Sequence, residues 1–290
     1  MGELKQRFQK VLEAIDQTLD GPLDVSALAG VAAYSTFHFQ RQFSAFFGLG
    51  VADYRRLLRL KRAGQQLAFR RELPVTEIAF DAGYENLESF SRAFKRVFGH
   101  SPSAFRSTPD WSVWHRTYDP LLQLKGQFMS DQSLDGSAVR IVAFPETAVA
   151  ILEHRGPPQE VPATVRRFIA WRKAHASPPS RSVTFNILYD DPKTALPEDY
   201  RIGVCCAVNG PVTENDEGVE PGTIPAGRCA VIRHSGPLDF AEETIRALYR
   251  DWLPQSGEEL RDYPLFVQRL SFFPDVPEHE AKTDIFLPLK

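Results

Sequence analysis

Cysteine is scarce in this 290-residue chain: there are three, Cys205, Cys206 and Cys229. An odd number without metal-ligand spacing argues against a disulfide framework and a zinc site, and points to buried, reduced thiols in a cytoplasmic protein. Long apolar runs are missing as well; none approaches the roughly 20 residues that a membrane helix needs. The stretch from Met1 to Ile15 is amphipathic and charged and lacks the apolar segment of a secretory leader. No G-x-S-x-G, H-E-x-x-H or glycine-rich phosphate loop occurs, so catalysis is not expected, and neither is a metal or cofactor. Charge of one sign is also short, at a formal net of −3. It is unevenly spread, however. Residues 1–106 hold 15 Lys and Arg against 11 Asp and Glu, whereas residues 107–290 hold 19 against 26. A modestly basic first half joined to an acidic second half fits a nucleic-acid reader attached to something that does not touch nucleic acid. The length suits two domains with separate cores.

What is present is repetition. From Pro74 to Arg106 the chain reads PVTEIAFDAGYENLESFSRAFKRVFGHSPSAFR. Thr76, Ile78, Ala79 and Ala82 fit one short helix, Gly83 supplies the backbone freedom of a tight turn, and Asn86 can cap a second helix. On that helix Phe90, Phe94 and Phe98 recur at i, i+4 and i+8, one apolar stripe. This spacing suits a helix-turn-helix, although an ordinary helical hairpin fits it equally. The pattern occurs once before, with Leu28-Ala29 matching Ile78-Ala79 and Ala33-Tyr34 matching Gly83-Tyr84. After one inserted residue, Phe39, Arg41, Phe43, Phe47 and Gly48 match Phe90, Arg92, Phe94, Phe98 and Gly99. Tyr54-Arg55 stands where the second copy has Phe105-Arg106, and Val51 to Phe69 reads as one helix joining the copies.

With both copies in view, residues 4–106 resemble the AraC/XylS DNA-binding domain. The resemblance rests on Ile78-Ala79, Gly83-Tyr84, Phe90-Ser91-Arg92, Phe94-Lys95, Phe98-Gly99, Ser101-Pro102 and Phe105-Arg106. It implies transcription regulation, with two recognition helices in successive major-groove segments of double-stranded DNA and RNA polymerase a candidate further partner. It places base readers at Phe37, Gln40, Arg41, Leu87, Glu88, Ser91 and Arg92. These side chains suit base reading. Arg41 and Arg92 can each donate twice to guanine, and Gln40 can pair with adenine. Phe37 can pack on a thymine methyl, Ser91 can bond a base or phosphate, and Glu88 can accept from cytosine. Leu87 and Glu88 depart from the polar residues often found there. Arg55, Arg56, Arg59, Lys61 and Arg62 on the joining helix can meet phosphates or simply solvate its outer face.

Residues 108–138 lose clear periodicity and read as a linker, held against a domain by Trp111, Trp114 and Tyr118. A second repeat follows, in which His154-x-Gly156-Pro157 matches His234-x-Gly236-Pro237 at an offset of eighty. Each unit starts with an alternating strand (Val149, Ile151; Cys229, Val231). A Gly-Pro turn then leads to a helix and two further strands. The expected fold is thus α+β in two domains: an all-α double helix-turn-helix domain over 1–107, then a duplicated β-α-β-β domain over 139–290, its helices on one sheet face. The duplicated unit, closing on Asp284-Ile285-Phe286-Leu287-Pro288-Leu289, resembles the GyrI-like effector-binding domain. That resemblance implies a small-molecule effector, aromatic in character, bound between the repeats.

Candidate groove residues are Trp171, Phe185, Tyr189, Trp252, Phe266, Gln268 and Arg269, with plain core packing the competing role for each aromatic. Relatives that bind cations carry a Glu on the strand before the last. Here Leu265 to Phe273 offers Gln268 and Arg269 instead, so weaker cation selection is expected unless Glu153, Glu242 or Glu243 reaches the groove from elsewhere. Alternation allows only one of these two to face inward. Matched His154 and His234 are expected to be turn residues and not metal ligands. The competing function is a stress protein whose C-terminal half binds a protein or hydrolyses a small molecule.

Overall fold

A computed structural model describes residues 2–129 and 138–290. The chain divides into two units, one formed by Met1–Gln132 with Phe273–His279 and the other by Ser133–Phe272 with Glu280–Lys290.

The first unit is helical: α1 (Gly2–Gln17), α2 (Val25–Val31), α3 (Thr36–Phe47), α4 (Val51–Phe69), α5 (Val75–Asp81), α6 (Leu87–Phe98), α7 (Pro102–Ser107) and α8 (Trp111–Met129). Local chemistry sets the ends of the two repeated helices. Ser35 and Asn86 accept from the backbone N–H groups of His38 and Ser89, and Gly48 and Gly99 end the helices in the left-handed conformation. Their phenylalanine stripes, Phe39–Phe43–Phe47 and Phe90–Phe94–Phe98, are buried. At about 1.5–3 kcal/mol for each large side chain removed from water, they supply much of this core's stability.

The turn between the paired helices needs positive φ in both copies. Gly83 meets that need at φ 79°, but the first copy uses Ala33 at φ 56°. The left-handed conformation costs a residue with a β-carbon about 1–2 kcal/mol, partly offset by the entropy a glycine loses. Ala33→Gly should therefore raise unfolding stability by about 0.5–1 kcal/mol, measured by urea titration of the full chain; a decrease would show the turn to be unstrained.

The arginines of α4 have a role other than either expected one. Arg55 is buried and donates to the carbonyls of Thr18, Leu19 and Gly21; Arg59 donates to those of Leu19 and Gly21. Arg62 pairs with Asp20 and donates to the carbonyl of Asp81. They staple the loop entering the first helix-turn-helix. In the second copy Arg106 donates to the Leu73 carbonyl at 2.7 Å, so the repeated aromatic-Arg pair does the same work twice.

Residues 108–138, expected as a linker, instead contain a 19-residue helix, α8, that belongs to the first core. Trp114 stacks on Phe98 at 5.6 Å and 12°, the Tyr118 hydroxyl donates to the Leu57 carbonyl at 3.0 Å, and Phe128 packs on Phe8 and Phe47. Its buried residues 111, 114, 118, 121 and 128 share one helical face. The C-terminal end of the expected linker, residues 130–137, lies outside the described residues.

The second unit carries one eight-stranded antiparallel sheet. Its strands are β1 (Arg140–Phe144), β2 (Thr147–Arg155), β3 (Thr184–Leu188), β4 (Arg201–Ala207), β5 (Glu220–Ile224), β6 (Gly227–Ser235), β7 (Leu265–Arg269) and β8 (Lys282–Pro288). Their order is β1-β6-β8-β7-β3-β4-β2-β5. The two β-α-β-β units are present, and each is preceded by a short strand that the sequence pattern does not announce. These two strands are exchanged: β1 pairs with β6 of the second repeat and β5 with β2 of the first. Helices α9 (Val161–Ala174) and α10 (Ala241–Ala247) cover one face through two clusters, one with Ala150, Leu152, Phe168, Trp171 and Val204, the other with Ile232, Leu248, Val267 and Ile285. On the other face Phe144 and Phe185 have ring centroids 6.0 Å apart although four strand positions separate β1 from β3. At nearly 5 Å per strand only a curled sheet allows that.

Candidate DNA-reading surface and ligand groove

The recognition helices α3 and α6 bury their phenylalanines and turn the opposite face to solvent. Phe37, Gln40, Arg41, Leu87, Glu88 and Arg92 are exposed, and Ser91 is partly so. Phe37 is 84% exposed and Leu87 40%. An exposed phenylalanine on a helix whose other phenylalanines pack into the core is an apolar group without an intramolecular role. Arg92 lies 3.1 Å from Glu88, both side chains mostly in water. Such an exposed pair is worth at most about 1 kcal/mol and is easily exchanged for another partner. The helix joining the two readers, α4, has 19 residues, hence about 28 Å at 1.5 Å per residue.

Alternation on the strands decides which residues face the open side of the sheet. A cavity of about 530 Å³ lies there, lined by Val149, Ile151 and Glu153 of β2, Ile187 and Tyr189 at β3, Glu220 and Gly222 of β5, and Tyr263 before β7. Glycine makes the room. A β-carbon on Gly203 would lie 2.9 Å from Ile151 Cδ1, and one on Gly222 3.1 Å from Ile151 Cγ2. In the other repeat the register places Asp284 and Val142 at those two positions. There Arg233 holds Asp284 through bonds of 2.7 and 2.8 Å. The two glycines of one half thus stand where the other half carries the larger side chains of Asp284 and Val142.

The cavity is acidic and phenolic. Glu153 is half-exposed, with Arg155 at 3.5 Å. Burial raises the Tyr189 hydroxyl above the ordinary tyrosine range, with Cys205 and Glu153 adding to it. Burial likewise pushes Tyr263 up to about 12, with Tyr189 adding to it. Both phenols stay protonated near neutrality, Tyr263 lying 3.3 Å from the Thr223 carbonyl. The three cysteines are buried and free, and burial raises the thiol pKa of each.

Of the seven groove residues expected from sequence, Tyr189 lines this cavity. Phe185 and Phe266 lie beneath the same sheet face as buried core. Trp171 and Trp252 pack on the helix-covered face, Trp171 stacked on His175 at 4.4 Å. Gln268 stands opposite Phe185 and shares its face with Phe266, whereas Arg269 turns to the other face and lies over the Phe272 ring. Of the carboxylates that could reach the groove from elsewhere, Glu153 lines the cavity and Glu242 and Glu243 do not, whereas Glu220 and Tyr263 escape sequence reading because only the strand exchange brings their segments beside β2.

The repeated histidines are turn residues. His154 Nδ1 lies 2.8 Å from the Thr164 hydroxyl while Nε2 faces the carbonyls of Gly156 and Pro157. His234 repeats this with Thr244 and Pro237. Because carbonyl oxygens only accept, Nε2 carries a hydrogen in both rings.

Comparison with known proteins gives two family matches. A profile described as a GyrI-like small molecule binding domain matches residues 137–290, and one described as a helix-turn-helix domain matches residues 28–108. The "Probable transcriptional regulator YgiV" of Escherichia coli K12 is 39% identical over 162 residues, covering 56% of this chain and 99% of that protein. The regulatory protein SoxS of Salmonella typhimurium is 35% identical over 102 residues, covering 35% of this chain and 94% of its own length. Among solved structures, the C-terminal domain of EcmrR aligns with 52% of this chain and 96% of its own at 19% identity and a TM-score of 0.44. The chain belongs to the GyrI-like family, joined in one polypeptide to an AraC-type helix-turn-helix domain, and is a ligand-responsive, sequence-specific DNA-binding transcription regulator.

Proposed function

We propose that Phe37, Gln40, Arg41, Leu87, Glu88, Ser91 and Arg92 are the DNA contacts, and that the glycine-floored cavity on β2, β3 and β5 receives the effector. The first assignment is carried by two capped helices, each with a buried phenylalanine stripe and these side chains on the outer face. Arg41 is the strongest reader, because a guanidinium can donate twice to guanine. Arg41→Ala should weaken specific binding by about 1–3 kcal/mol in mobility shifts on duplexes selected from a random pool. Unchanged affinity would remove Arg41 from the contact set.

The effector we infer is a flat aromatic cation. Loss of the carboxylate at Gln268 points the opposite way, but Glu153 and Glu220 reach the cavity from β2 and β5. A cation leaving water needs carboxylate partners or aromatic faces; this cavity offers Glu153 and Glu220, and the faces of Tyr189 and Tyr263 that Arg201 and Arg261, at 5.3 and 5.9 Å from the ring centroids, leave uncovered. Calorimetry with a matched quaternary and neutral aromatic pair should show the cation binding more tightly. Glu153→Gln should lower its affinity about tenfold, or ~1.4 kcal/mol. Equal binding of both compounds, untouched by Glu153→Gln, would rule out charge recognition there.

We read the cavity as a binding site without turnover, the role that suits the small-molecule-binding half of a transcription regulator. The chain acts in the cytoplasm, where DNA and RNA polymerase, its further partner in transcription, are found. Among the described residues no helix is long and apolar enough to cross a membrane.

A further inference from the structure

The strands β7 and β8 belong to the sheet unit, yet residues 273–279, which lie between them in the chain, belong to the helical unit. Their anchoring there is ionic. Glu278 Oε1 lies 2.5 Å from Lys61 Nζ on α4, with the lysine side chain 6% exposed. The neighbouring Lys125 of α8, also 6% exposed, pairs with Asp16 of α1. Tyr54, Leu58, Tyr118 and Leu121 line the same small pocket as Lys61, Lys125 and Glu278. Burial works against ionisation of Glu278, but Lys61 and Lys125 together hold its carboxyl below the ordinary glutamate range. At the end of α4, Arg70 takes both oxygens of Asp275.

At the other end, the segment's base is pinned to the sheet. Leu270 N–H donates to the Lys282 carbonyl at 2.9 Å, and the Lys282 N–H donates to the Ser271 hydroxyl at 2.8 Å. The strands that continue from this base carry Phe266, Gln268, Asp284 and Phe286 on the same face as the cavity.

Taking the chain as a ligand-responsive DNA reader, we propose that residues 273–279 are a strut that transmits groove occupancy to α4, the helix that joins both recognition helices. Two features suit it to that role. Withdrawing Glu278 would leave Lys61 buried without its carboxylate, so α4 has distinct docked and undocked states and no soft continuum between them. The hydrogen-bonded base makes the segment move with β7 and β8. Linkage then requires that DNA bound at one end be felt at the other.

The test uses the full chain and a duplex selected from a random pool. Hydrogen exchange is followed in 51–69 and in 265–288, with and without duplex. Duplex binding should change exchange across 265–288 at least about threefold in the unaltered chain. Replacing 273–279 by seven Gly and Ser residues should abolish that change and shift duplex affinity about tenfold, while the exchange pattern of β2–β5 stays the same. If that replacement fails to fold, Glu278→Gln, of equal size, should still speed exchange in α4 about tenfold. Duplex binding without any change at 265–288, or unaltered α4 exchange in Glu278→Gln, would overturn the strut. Failure to bind any selected duplex would overturn the DNA-reading assignment itself, and the strut with it.

Discussion

Phe98→Ala will destabilise the helical unit by about 3–5 kcal/mol, the usual loss for emptying a fully packed phenylalanine site. Phe98 is 0% exposed and touches three helices. Its ring lies 4.3 Å from Phe94 in α6, 5.3 Å from Phe105 in α7, and 5.6 and 6.0 Å from Trp114 and Tyr118 in α8. Truncation therefore opens a cavity at a junction that no single helix can close by shifting. With domain stabilities of about 5–15 kcal/mol, such a loss leaves a substantial unfolded fraction. Urea unfolding of the full chain followed by fluorescence of Trp111 and Trp114 measures it. Phe37→Ala is the control: the same chemical change at an 84% exposed site should cost no more than about 0.5 kcal/mol. A small loss at Phe98, or equal losses at both sites, would contradict the packing described.

Gly64→Ala should also destabilise, against the local preference of a helix. In the interior of α4 alanine is favoured over glycine by about 0.8–1 kcal/mol. Yet a β-carbon at Gly64 would overlap the Trp114 ring, coming inside contact distance of Cζ3 and to 3.3 Å of the next ring carbon. The ring has little room to move, since Phe98 stacks on it at 12° and Phe105, Trp111 and Tyr118 also lie against it. Overpacking typically costs about 1–3 kcal/mol, so after the propensity gain of about 0.8–1 kcal/mol the net loss should be up to about 2 kcal/mol. In a Trp114→Leu background the sign should reverse, because the clash is gone and the propensity gain remains. Destabilisation in both backgrounds would mean that α8 does not pack on α4.

The same residues show where sequence reading succeeds and where it stops. The double helix-turn-helix is legible because capping, left-handed turns and the i, i+4, i+8 phenylalanines are local signals, repeated. The buried side chains of α8, Trp111, Trp114, Tyr118 and Leu121, also sit at helical spacing. Pro120 and the flanking turn residues mask that periodicity, so the stretch reads as a linker. The β-α-β-β units are legible through alternation, but β5 reads EPGTI, and a strand with Pro and Gly carries no strand signal. Its exchange onto β2 is a long-range event, and the cavity depends on it. Hence Tyr189 and Glu153 can be anticipated singly, whereas Glu220 and Tyr263 cannot be gathered with them into one site. Core and lining aromatics such as Phe185 and Tyr189 differ only in depth, which alternation does not encode.

A single chain carrying two readers on one 19-residue helix should cover two successive major-groove segments, about 34 Å apart, without a two-fold operator. Hydroxyl-radical footprinting of a selected duplex, at a stoichiometry of one chain per duplex fixed by light scattering, tests this most directly. The expected result is two protected stretches about one helical turn apart on the same DNA face, with Arg41→Ala weakening one and Arg92→Ala the other. A single protected stretch, or two that appear only when two chains are bound, would contradict it.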